Sequence, residues 1–264
     1  MKLSVVLATR NEEHNIVGCI KSVSDLADEV IVVDGESTDQ TREVAKKLGA
    51  KVFVEKNRPI FHINKQIALQ KAKGNWILQL DADERPDNQM KQAITRVIKG
   101  VPFIDKGDPL KKEPNGYYLK RKNYFLGRWL KKGGQYPDSV IRLVRRGRAN
   151  FPQKSVHEQI SVEGKVETLE GHLLHYTAPN FARYLNNANR YTSLTAAELK
   201  EKKVRISIFS WFKYLFIKPS VTFLNLFLRH KGILDGFPGF VFSLFSGLHW
   251  SIAFMKYWEQ QNIK

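Results

Sequence analysis

Four short apolar runs alternate with stretches of helical spacing near the start of the chain, and this alternation constrains the fold more than any other feature. The runs are Leu3–Ala8, Glu29–Val33, Lys51–Val54 and Trp76–Leu80. Between them, apolar residues recur at every third or fourth position, which is typical of a helix with one buried face. This β-α-β-α-β-α-β order predicts a parallel sheet with helices on both faces. Ligands of such sheets bind beyond the carboxyl ends of the strands.

The pattern changes after residue 100. Gly116–Arg121, Ser139–Val144 and Val156–Val162 are typical of strands in a mixed sheet, and Asn180–Lys203 has the spacing of a helix. We therefore predict an α/β fold in which a mixed, mainly parallel sheet is flanked by helices. Residues 1–203 are expected to form the ligand-binding and catalytic domain, and residues 204–264 a C-terminal helical appendage rich in aromatic and basic residues.

Within this appendage, Gly232–Phe254 is long enough to cross a bilayer and has Asp235 as its one formally charged residue. Pro238, several glycines and His249 argue against a simple membrane span. Three interpretations stay open. The favoured one is a set of aromatic and basic helices that lie in the lipid headgroup region. The others are a transmembrane helix and a soluble core or homodimer interface.

Composition and the N-terminal residues indicate the kind of binding partner and the cellular compartment to expect. The chain has 264 residues, 43 of them basic and 26 acidic, and a net charge of +17. This charge favours an anionic partner, which could be a nucleic acid, an anionic membrane surface or a phosphorylated substrate. The single cysteine, Cys19, excludes an intramolecular disulfide. The apolar run at the N-terminus is shorter than the core of a signal peptide and meets Arg10 at once, so we expect a cytoplasmic protein.

Polar segments follow the first, second and fourth predicted strands. They are Ala8–Glu12, Asp34–Asp39 and Asp81–Asp83. Because the carboxyl ends of parallel strands meet at one edge of a sheet, we expect the three segments to converge there. Asp81 and Asp83 lie two residues apart, so their carboxylates can point to the same side. That arrangement suits a divalent cation, since hard cations prefer oxygen ligands.

The order of these motifs resembles family 2 glycosyltransferases, which bind nucleotide-diphosphate sugars with a GT-A fold. The segments that carry the resemblance are Val5–Glu13, Val30–Asp39, Asn64–Ala68 and Leu80–Asp83. Three later segments are similar to the branch of lipopolysaccharide core glucosyltransferases. These are Ile141–Leu143, Val156–Glu158 and Lys231–Gly236.

The resemblance implies a role for each matching residue. Ala8, Arg10 and Glu12 correspond to the loop around the base and ribose. Asp34 corresponds to the carboxylate that accepts from the uracil N–H, which favours UDP as the carrier. Lys65 lies at a position near the nucleotide, Asp81 at a ribose or sugar contact, and Asp83 at the metal ligand. Ala8 replaces the proline that is frequent in the first motif, and Arg10 replaces the aromatic residue that stacks on the base, a task that a guanidinium plane can share.

The implied reaction moves a sugar from a UDP-sugar, UDP-glucose or a similar hexose, to a hydroxyl group. Mg²⁺ or Mn²⁺ at Asp83 would act as a Lewis acid on the leaving diphosphate, and Arg142 or Arg145 could add a guanidinium. The acceptor hydroxyl needs a base, for which we choose Glu158. His157 is a possible second metal ligand or a substrate contact. A single displacement with such a base inverts the anomeric carbon.

The acceptor and the protein class have alternatives. The favoured acceptor is a membrane-associated glycolipid such as lipopolysaccharide core, reached by an enzyme held at the inner face of the cytoplasmic membrane. A polyprenyl phosphate acceptor would need no base, because its oxygen is already ionised. A basic nucleic-acid-binding protein is another alternative, but the sequence contains no recognisable nucleic-acid-binding motif. A nucleotidyltransferase would need a glycine-rich basic loop where this chain has Thr9-Arg10-Asn11-Glu12.

Overall fold

The computed structural model of this chain describes residues 2–58, 60–101, 113–152, 159–178 and 180–263. Contacts divide the chain into two compact units. The N-terminal unit comprises Met1–Arg121 and Asp138–His175, and the C-terminal unit comprises Lys122–Pro137 and Tyr176–Lys264. The domain boundary predicted after residue 203 stays a prediction. His157 and Glu158 lie outside the described residues.

The first half of the N-terminal unit has the alternating order that the sequence predicts. Its elements are β1 (Leu3–Thr9), α1 (Glu13–Val23), β2 (Glu29–Asp34), α2 (Thr41–Lys47), β3 (Lys51–Val54), α3 (His62–Lys71) and β4 (Trp76–Leu80). β1 lies between β2 and β4 and pairs with both in parallel, and β3 pairs in parallel with β2. These four strands therefore present their carboxyl ends at one edge.

One helix begins later than predicted. The capping chemistry of Ser37-Thr38-Asp39-Gln40 predicts a helix that opens near Ser37, but α2 begins at Thr41. The intervening residues are held in a loop by side-chain hydrogen bonds: Ser37 N donates to Asp34 over 2.9 Å, and Thr41 N donates to Asp39 over 3.0 Å. Such local bonds compete with the first turn of a helix.

The remaining strands add a mostly antiparallel part. The elements are β5 (Glu84–Pro86), α4 (Asn88–Ile98), β6 (Gly116–Phe125), β7 (Arg128–Trp129), β8 (Asp138–Arg145), β9 (Ala149–Asn150), β10 (Ser161–Val162), β11 (Val166–Thr168) and β12 (Leu173–Ala178). Among the described residues, the main sheet has the order β3-β2-β1-β4-β8-β6-β12-β5, and β8 is antiparallel to both of its neighbours. The sheet is mixed, as predicted.

Two apolar clusters form the core of the N-terminal unit. One gathers Leu3, Leu7 and Leu78 with Ile16 and Ile94, and the other gathers apolar side chains of β1, β2, β4 and β8 with those of α3. Cys19 is buried in the first cluster. Each fully buried aliphatic side chain stabilises the fold by about 1.5–3 kcal/mol relative to exposure, so the strands that carry the polar loops are anchored in a tightly packed core.

The C-terminal unit is mainly helical over its second segment. It contains α5 (Phe181–Glu201), α6 (Ile208–Phe212), α7 (Lys218–Leu224) and α8 (Gly236–Asn262), with π-helical turns over Lys213–Ile217 and Asn225–Arg229 and a 3-10 turn over Gly232–Asp235. A buried cluster joins α5 and α8 through Ala196, Leu199 and Phe254. Asp235 is buried and accepts hydrogen bonds from the backbone N–H groups of Lys131 and Lys132, over 3.1 and 2.8 Å.

One segment of this unit, Gly232–Asn262, is long and apolar enough to cross a membrane by length and composition alone. It corresponds to the apolar stretch that the sequence singled out. Of its most apolar 18-residue window, 39% is buried within the protein. The core helix of a soluble protein has the same properties, so this feature does not establish a membrane span.

Candidate active site

The carboxyl ends of β1, β2 and β4 bring the three predicted polar loops to one edge of the sheet. Thr9 at the end of β1 lies opposite Asp34 at the end of β2, and Leu7 of β1 lies opposite Leu80 at the end of β4. Asp34 and the Asp81 that follows Leu80 therefore flank the end of β1. All residues of the site described below belong to the N-terminal unit.

The loops after β1 and β2 are interlocked by hydrogen bonds. Asn11 has a left-handed backbone with φ of 54°, a conformation that asparagine tolerates better than most residues. Its N–H donates to the Ser37 hydroxyl over 2.9 Å, and its side-chain oxygen accepts from Thr38 N over 2.8 Å. Glu12 N donates to the Thr41 hydroxyl over 2.8 Å. These bonds hold the two loops together. The Arg10 side chain is exposed to solvent.

Asp34 is fully buried at the centre of this loop pair. Its carboxylate accepts from the backbone N–H of Ser37 over 2.9 Å and also from the Ser37 hydroxyl. The next residue, Gly35, donates its N–H to the Thr9 carbonyl over 2.8 Å. In this conformation, contact between Asp34 and a bound base would require the Ser37 hydroxyl to turn away.

A compact charge cluster surrounds Asp81. One carboxylate oxygen lies 2.5 Å from Lys65 Nζ, and the other lies 2.6 Å from the Arg142 guanidinium. Gln79 donates its side-chain N–H to Asp81 over 3.2 Å and accepts from Arg142. Lys65 comes from α3 and Arg142 from β8, so three separate elements converge on the residue that begins the predicted Asp-x-Asp motif.

The cluster fixes the charge states of its members. Burial opposes ionisation of Asp81, but the positive charges of Arg142 and Lys65 outweigh it and hold the pKa of that carboxyl well below its usual range. Burial lowers the pKa of Lys65 below its ordinary value of 10.5, with Asp81 opposing the shift. Burial also disfavours the charged form of Arg142, yet Asp81 and Glu84 raise the pKa of this guanidinium above its ordinary value.

Glu84 is a member of the cluster that the sequence reasoning missed. Its side chain is fully buried and lies 2.7 Å from the Arg142 guanidinium, with Arg121 at 3.5 Å. Its second oxygen accepts from the backbone N–H of Asp81 over 2.9 Å. Glu84 therefore holds both the backbone of Asp81 and the arginine that pairs with the Asp81 side chain. Its place directly after Asp81-Ala82-Asp83 is the one signal that the sequence offered.

Asp83 pairs with another residue that the sequence did not single out, His175 of β12. The carboxylate of Asp83 lies 3.4 Å from His175 Nε2. Burial alone would raise the pKa of Asp83, but the hydrogen bond and charge of His175 lower it. Burial alone would lower the pKa of His175, but Asp83 and then Glu84 raise it. Both side chains remain partly exposed.

The structure separates the two arginines proposed for phosphate contact. Arg142 lies in the Asp81 cluster, whereas Arg145 lies opposite Trp76 at the start of β4, the other end of that strand. Arg145 pairs with Glu113 over 2.7 Å and stacks on the Trp76 ring. Ala8, Arg10, Glu12, Asp34, Lys65, Asp81, Asp83 and Arg142 all lie at or beside the carboxyl edge.

Asp83 and His175 lie close enough together beside the Asp81 cluster to share a cation. Within the described residues, no group of three or more histidine, cysteine, aspartate or glutamate side chains is arranged to hold a metal. Octahedral ligands at about 2.1 Å from Mg²⁺ are about 3 Å apart, close to the observed Asp83–His175 separation of 3.4 Å. Asp81 is less suited, because both of its oxygens are engaged by Lys65 and Arg142.

Comparison with known proteins decides the family. Residues 4–147, which include the three loops and Arg142, match Glycosyl transferase family 2. The chain belongs to this family. The resemblance inferred from the loop motifs is therefore confirmed over more than half of the sequence, and the chain is a glycosyltransferase by family.

Relatives of this glycosyltransferase extend the similarity beyond residue 147. An uncharacterised glycosyltransferase of Rickettsia typhi is 29% identical over 254 residues, covering 92% of this chain and 82% of the relative. The lipopolysaccharide core biosynthesis glycosyltransferase LpsC of Rhizobium meliloti is 25% identical over 280 residues, covering 100% of this chain and 94% of LpsC. The similarity to the lipopolysaccharide core branch is thus confirmed at the level of sequence.

Solved structures support the fold. The crystal structure of S. aureus TarS 1-349 in complex with UDP-GlcNAc matches 95% of this chain and 81% of that chain, with a TM-score of 0.50 and 18% identity. The corresponding complex with UDP matches 100% of this chain and 92% of that chain, with the same TM-score and 16% identity. At these identities the likeness concerns the fold alone, and it confirms the predicted GT-A fold.

Proposed function

We propose that this glycosyltransferase moves a hexose from a UDP-sugar, such as UDP-glucose, to a hydroxyl of a membrane-associated glycolipid such as lipopolysaccharide core. The observation that carries the proposal is the convergence of Asp34, Asp81 and Asp83 at the carboxyl edge of the sheet, beside the cations Lys65 and Arg142. The complex of TarS with UDP-GlcNAc supports a UDP-sugar as donor. The full-length similarity to LpsC supports the acceptor class.

The proposed nucleotide site uses the interlocked loops. Ala8, Arg10 and Glu12 surround the base and ribose, and the exposed Arg10 guanidinium stacks on the base. The Ser37 hydroxyl releases Asp34, which then accepts from the uracil N–H. An imide N–H of this kind is present in uracil and thymine and absent from cytosine, so Asp34 contributes to the choice of base.

The charge cluster serves the sugar and the diphosphate. Asp81 stays ionised next to Lys65 and Arg142 and accepts hydrogen bonds from ribose or sugar hydroxyls. Lys65 and Arg142 place two positive charges near the leaving diphosphate, where charge develops during transfer. Glu84 acts indirectly, because it orients Arg142 and the Asp81 backbone.

Asp83 and His175 are the proposed protein ligands of Mg²⁺ or Mn²⁺. His157, which the sequence suggested as a ligand, lies outside the described residues. When bound, the cation would supply a Lewis acid that neutralises charge on the diphosphate. His175 must be neutral to bind a metal, so Asp83 has to give up its ion pair with the histidine when the cation arrives.

Glu158 is the proposed general base. It takes the proton from the acceptor hydroxyl while the acceptor oxygen forms the new bond to the anomeric carbon and the diphosphate leaves. This single displacement inverts the configuration, so an α-linked UDP-sugar gives a β-linked product. A polyprenyl phosphate acceptor, the alternative, would not need this proton transfer.

Replacing Glu158 tests the base and the acceptor class together. We expect Glu158→Gln to lower transfer to a hydroxyl acceptor by at least about 100-fold, because general-base catalysis contributes about 10²–10⁴-fold. The measurement is radiolabelled hexose transfer to extracted glycolipid, with UDP-sugar binding followed by calorimetry. Binding should be unchanged. Full turnover by the variant would remove Glu158 from the role and favour a phosphate acceptor.

The place of action follows from the same proposal. A glycolipid acceptor lies in a membrane, and a UDP-sugar is a soluble donor. We therefore propose that the enzyme works as a peripheral protein at the inner face of the cytoplasmic membrane. Its excess of basic residues, net +17, favours an anionic surface and phosphorylated acceptors. A homodimer formed through the C-terminal region is the alternative use of the apolar helices.

A further inference from the structure

The segment from α6 to the 3-10 turn of the C-terminal unit exposes an unusual set of large apolar side chains. Phe209 is 84% exposed, and Phe212 and Phe216 are each 59% exposed. The set, named here the apolar face, consists of Ile208, Phe209, Phe212, Phe216, Ile217, Val221, Leu224, Leu228, Ile233 and Leu234. Exposed apolar patches of this kind are uncommon on soluble proteins and usually mark an interaction surface.

The spacing of the residues from Ile208 to Leu228 places this larger part of the patch on one side of a helix. Ile208, Phe212 and Phe216 are four residues apart, and Val221, Leu224 and Leu228 continue the series in steps of three to five. Residues spaced by three or four positions share a helix face. The wider π-helical turns over Lys213–Ile217 and Asn225–Arg229 continue this rod from α6 through α7 to Arg229. Lys231, with a left-handed φ of 58°, separates the rod from the 3-10 turn that carries Ile233 and Leu234.

The opposite side of the same rod packs inward. Ser210 and Tyr214 are buried, and the Tyr214 ring stacks on Phe254 of α8 at a centroid distance of 5.0 Å. The Ser251 hydroxyl of α8 donates to the Tyr214 carbonyl over 3.4 Å. The rod is therefore held on the C-terminal unit by its buried side, and the apolar face points away from that support.

Charge along the segment is entirely of one sign. Residues 202–234 contain no aspartate or glutamate, and their basic residues are Lys202, Lys203, Arg205, Lys213, Lys218, Arg229 and Lys231. Of the two acids that border the segment, Asp235 is buried and bonded to backbone N–H groups, whereas Glu201 is exposed at the end of α5. An apolar helix face edged by lysine and arginine is the composition of helices that lie in the interface of an anionic membrane.

α8 has features of a supporting helix. Gly247 lies so close to α7 that a side chain there would meet the Pro219 carbonyl oxygen at 2.6 Å. Lys256 Nζ donates to the Asn189 carbonyl over 2.6 Å and to the Thr192 hydroxyl over 2.8 Å, both on α5. These contacts fix one side of α8 on α5 and α7, and 39% of the most apolar 18-residue window of Gly232–Asn262 is buried within the protein.

We infer that the apolar face docks on an anionic lipid leaflet, with its phenylalanines in the headgroup and acyl boundary and its basic residues on lipid phosphates, while α8 supports it without crossing the bilayer. A second copy of the chain is a poorer occupant. Two-fold pairing of this face would bring two sets of basic residues together without an acidic partner. The inference does not rest on the proposed reaction.

Vesicle flotation of the full chain tests the inference. We expect binding to phosphatidylglycerol–phosphatidylethanolamine vesicles and weak binding to phosphatidylcholine vesicles. The double variant Phe212→Glu/Phe216→Glu should lower the partition coefficient at least about tenfold, because two buried phenylalanines are lost from the interface. Lys213→Gln and Arg229→Gln should each lower it about fivefold at low salt.

A double variant on α8 provides the matched control. Ile252→Glu/Met255→Glu also replaces two exposed apolar residues and changes the net charge equally, and it should bind vesicles like the wild type. Circular dichroism and UDP titration of all variants report whether each unit is folded. Loss of vesicle binding in the α8 variant alone would overturn the inference, as would resistance of the wild type to alkaline extraction. Concentration-dependent dimers that do not bind vesicles would also overturn it.

Discussion

At the scale of single residues, the side chain of Arg142 contacts three other residues of the charge cluster. Its guanidinium contacts Asp81 and Glu84 through ion pairs of 2.6 and 2.7 Å and also donates to Gln79. These partners lie on β4, on the loop that follows it and on β5. Removing the arginine would leave the buried carboxylate of Glu84 without its closest cation, and the loop that carries Asp81 without one of its anchors.

Arg142→Gln should therefore destabilise the protein by about 3–5 kcal/mol, the usual cost of leaving one partner of a buried ion pair unpaired. The free energy of unfolding in urea measures this. Adding Glu84→Gln should recover part of the loss, since the orphaned charge is then neutral. Arg148→Gln is the control: it breaks an ion pair with Glu163 whose side chains are 51% and 71% exposed, and it should cost less than about 1 kcal/mol. Equal costs for the two arginines would contradict the described cluster.

Glu29 gives a residue-scale prediction for acid stability. Its buried carboxylate accepts from the Ser4 hydroxyl, from Lys73 N and from Lys51 Nζ over 2.7, 2.8 and 2.8 Å. Burial alone would raise the pKa of Glu29, but the bonds to Lys51 and Ser4 lower it below the ordinary value of 4.5. A carboxyl whose folded pKa is lowered stabilises the protein above its unfolded pKa and loses that contribution as the pH falls through the folded pKa.

Thermal unfolding between pH 6 and pH 3 checks this sign. The wild type should lose stability as the pH falls below about 4.5, the region where the unfolded glutamate takes up its proton. Glu29→Gln should start from a lower melting temperature at pH 6 and show a shallower decline on acidification. Parallel curves for the two proteins would show that Glu29 does not contribute to the acid dependence.

The site residues differ in how far the sequence alone could place them. Asp34 and Asp81 follow apolar runs, so strand order was sufficient to bring them to one edge, and Lys65 lies in a helix that begins near that edge. His175 lies in β12, almost a hundred residues beyond Asp83, and local periodicity carries no signal for that pairing. Glu84 was visible beside the motif, but its burial depends on Arg142 from a distant strand.

At the scale of elements, Gly171 allows the segment before β12 to pack closely against the start of α4. Gly171 has a φ of 88°, and a side chain there would collide with the backbone of Met90 in the first turn of α4. The same junction is held by a hydrogen bond from Asp87 N to the His172 carbonyl over 2.9 Å. Because Asp87 caps α4 by accepting from Met90 N over 2.8 Å, the start of the helix has little room to move.

Gly171→Ala should therefore lower the free energy of unfolding by about 3 kcal/mol or more, combining the left-handed backbone cost with overpacking. Gly49→Ala is the matched control, since Gly49 also has a left-handed φ of 83° but no atom near the added carbon. It should cost about 1 kcal/mol. Urea unfolding measures the free energy of unfolding of both variants. Equal decreases would show that α4 leaves room for a side chain at residue 171.

The elements themselves were predictable where the pattern was regular. β1 to β4 follow from runs of buried apolar residues, and α1 and α3 follow from helical spacing. The antiparallel pairing of β5 with β12 was not predicted, because β5 is a three-residue strand next to the acidic motif. The late start of α2 depends on side-chain bonds of Ser37 and Asp39, which propensity alone does not reveal.

At the scale of the whole molecule, the exposed apolar surface of the C-terminal unit lies outside the part of the chain that matches the family. Composition predicted an anionic partner from the net charge of +17, but only the structure shows which apolar residues remain exposed. The family match covers residues 4–147, whereas the apolar face lies beyond it. The proposed donor site and the proposed lipid-binding surface therefore lie in different parts of the chain.

The central claim is that the edge formed by β1, β2 and β4 binds a uridine nucleotide with the help of a divalent cation at Asp83. Calorimetric titration with UDP, with and without Mn²⁺, tests it most directly, with GDP and dTDP as competing nucleotides. We predict that UDP binds best, that Mn²⁺ strengthens the binding, and that Asp83→Ala loses this metal effect while remaining folded by circular dichroism. No binding of any nucleotide, or an undiminished metal effect in the variant, would contradict the account.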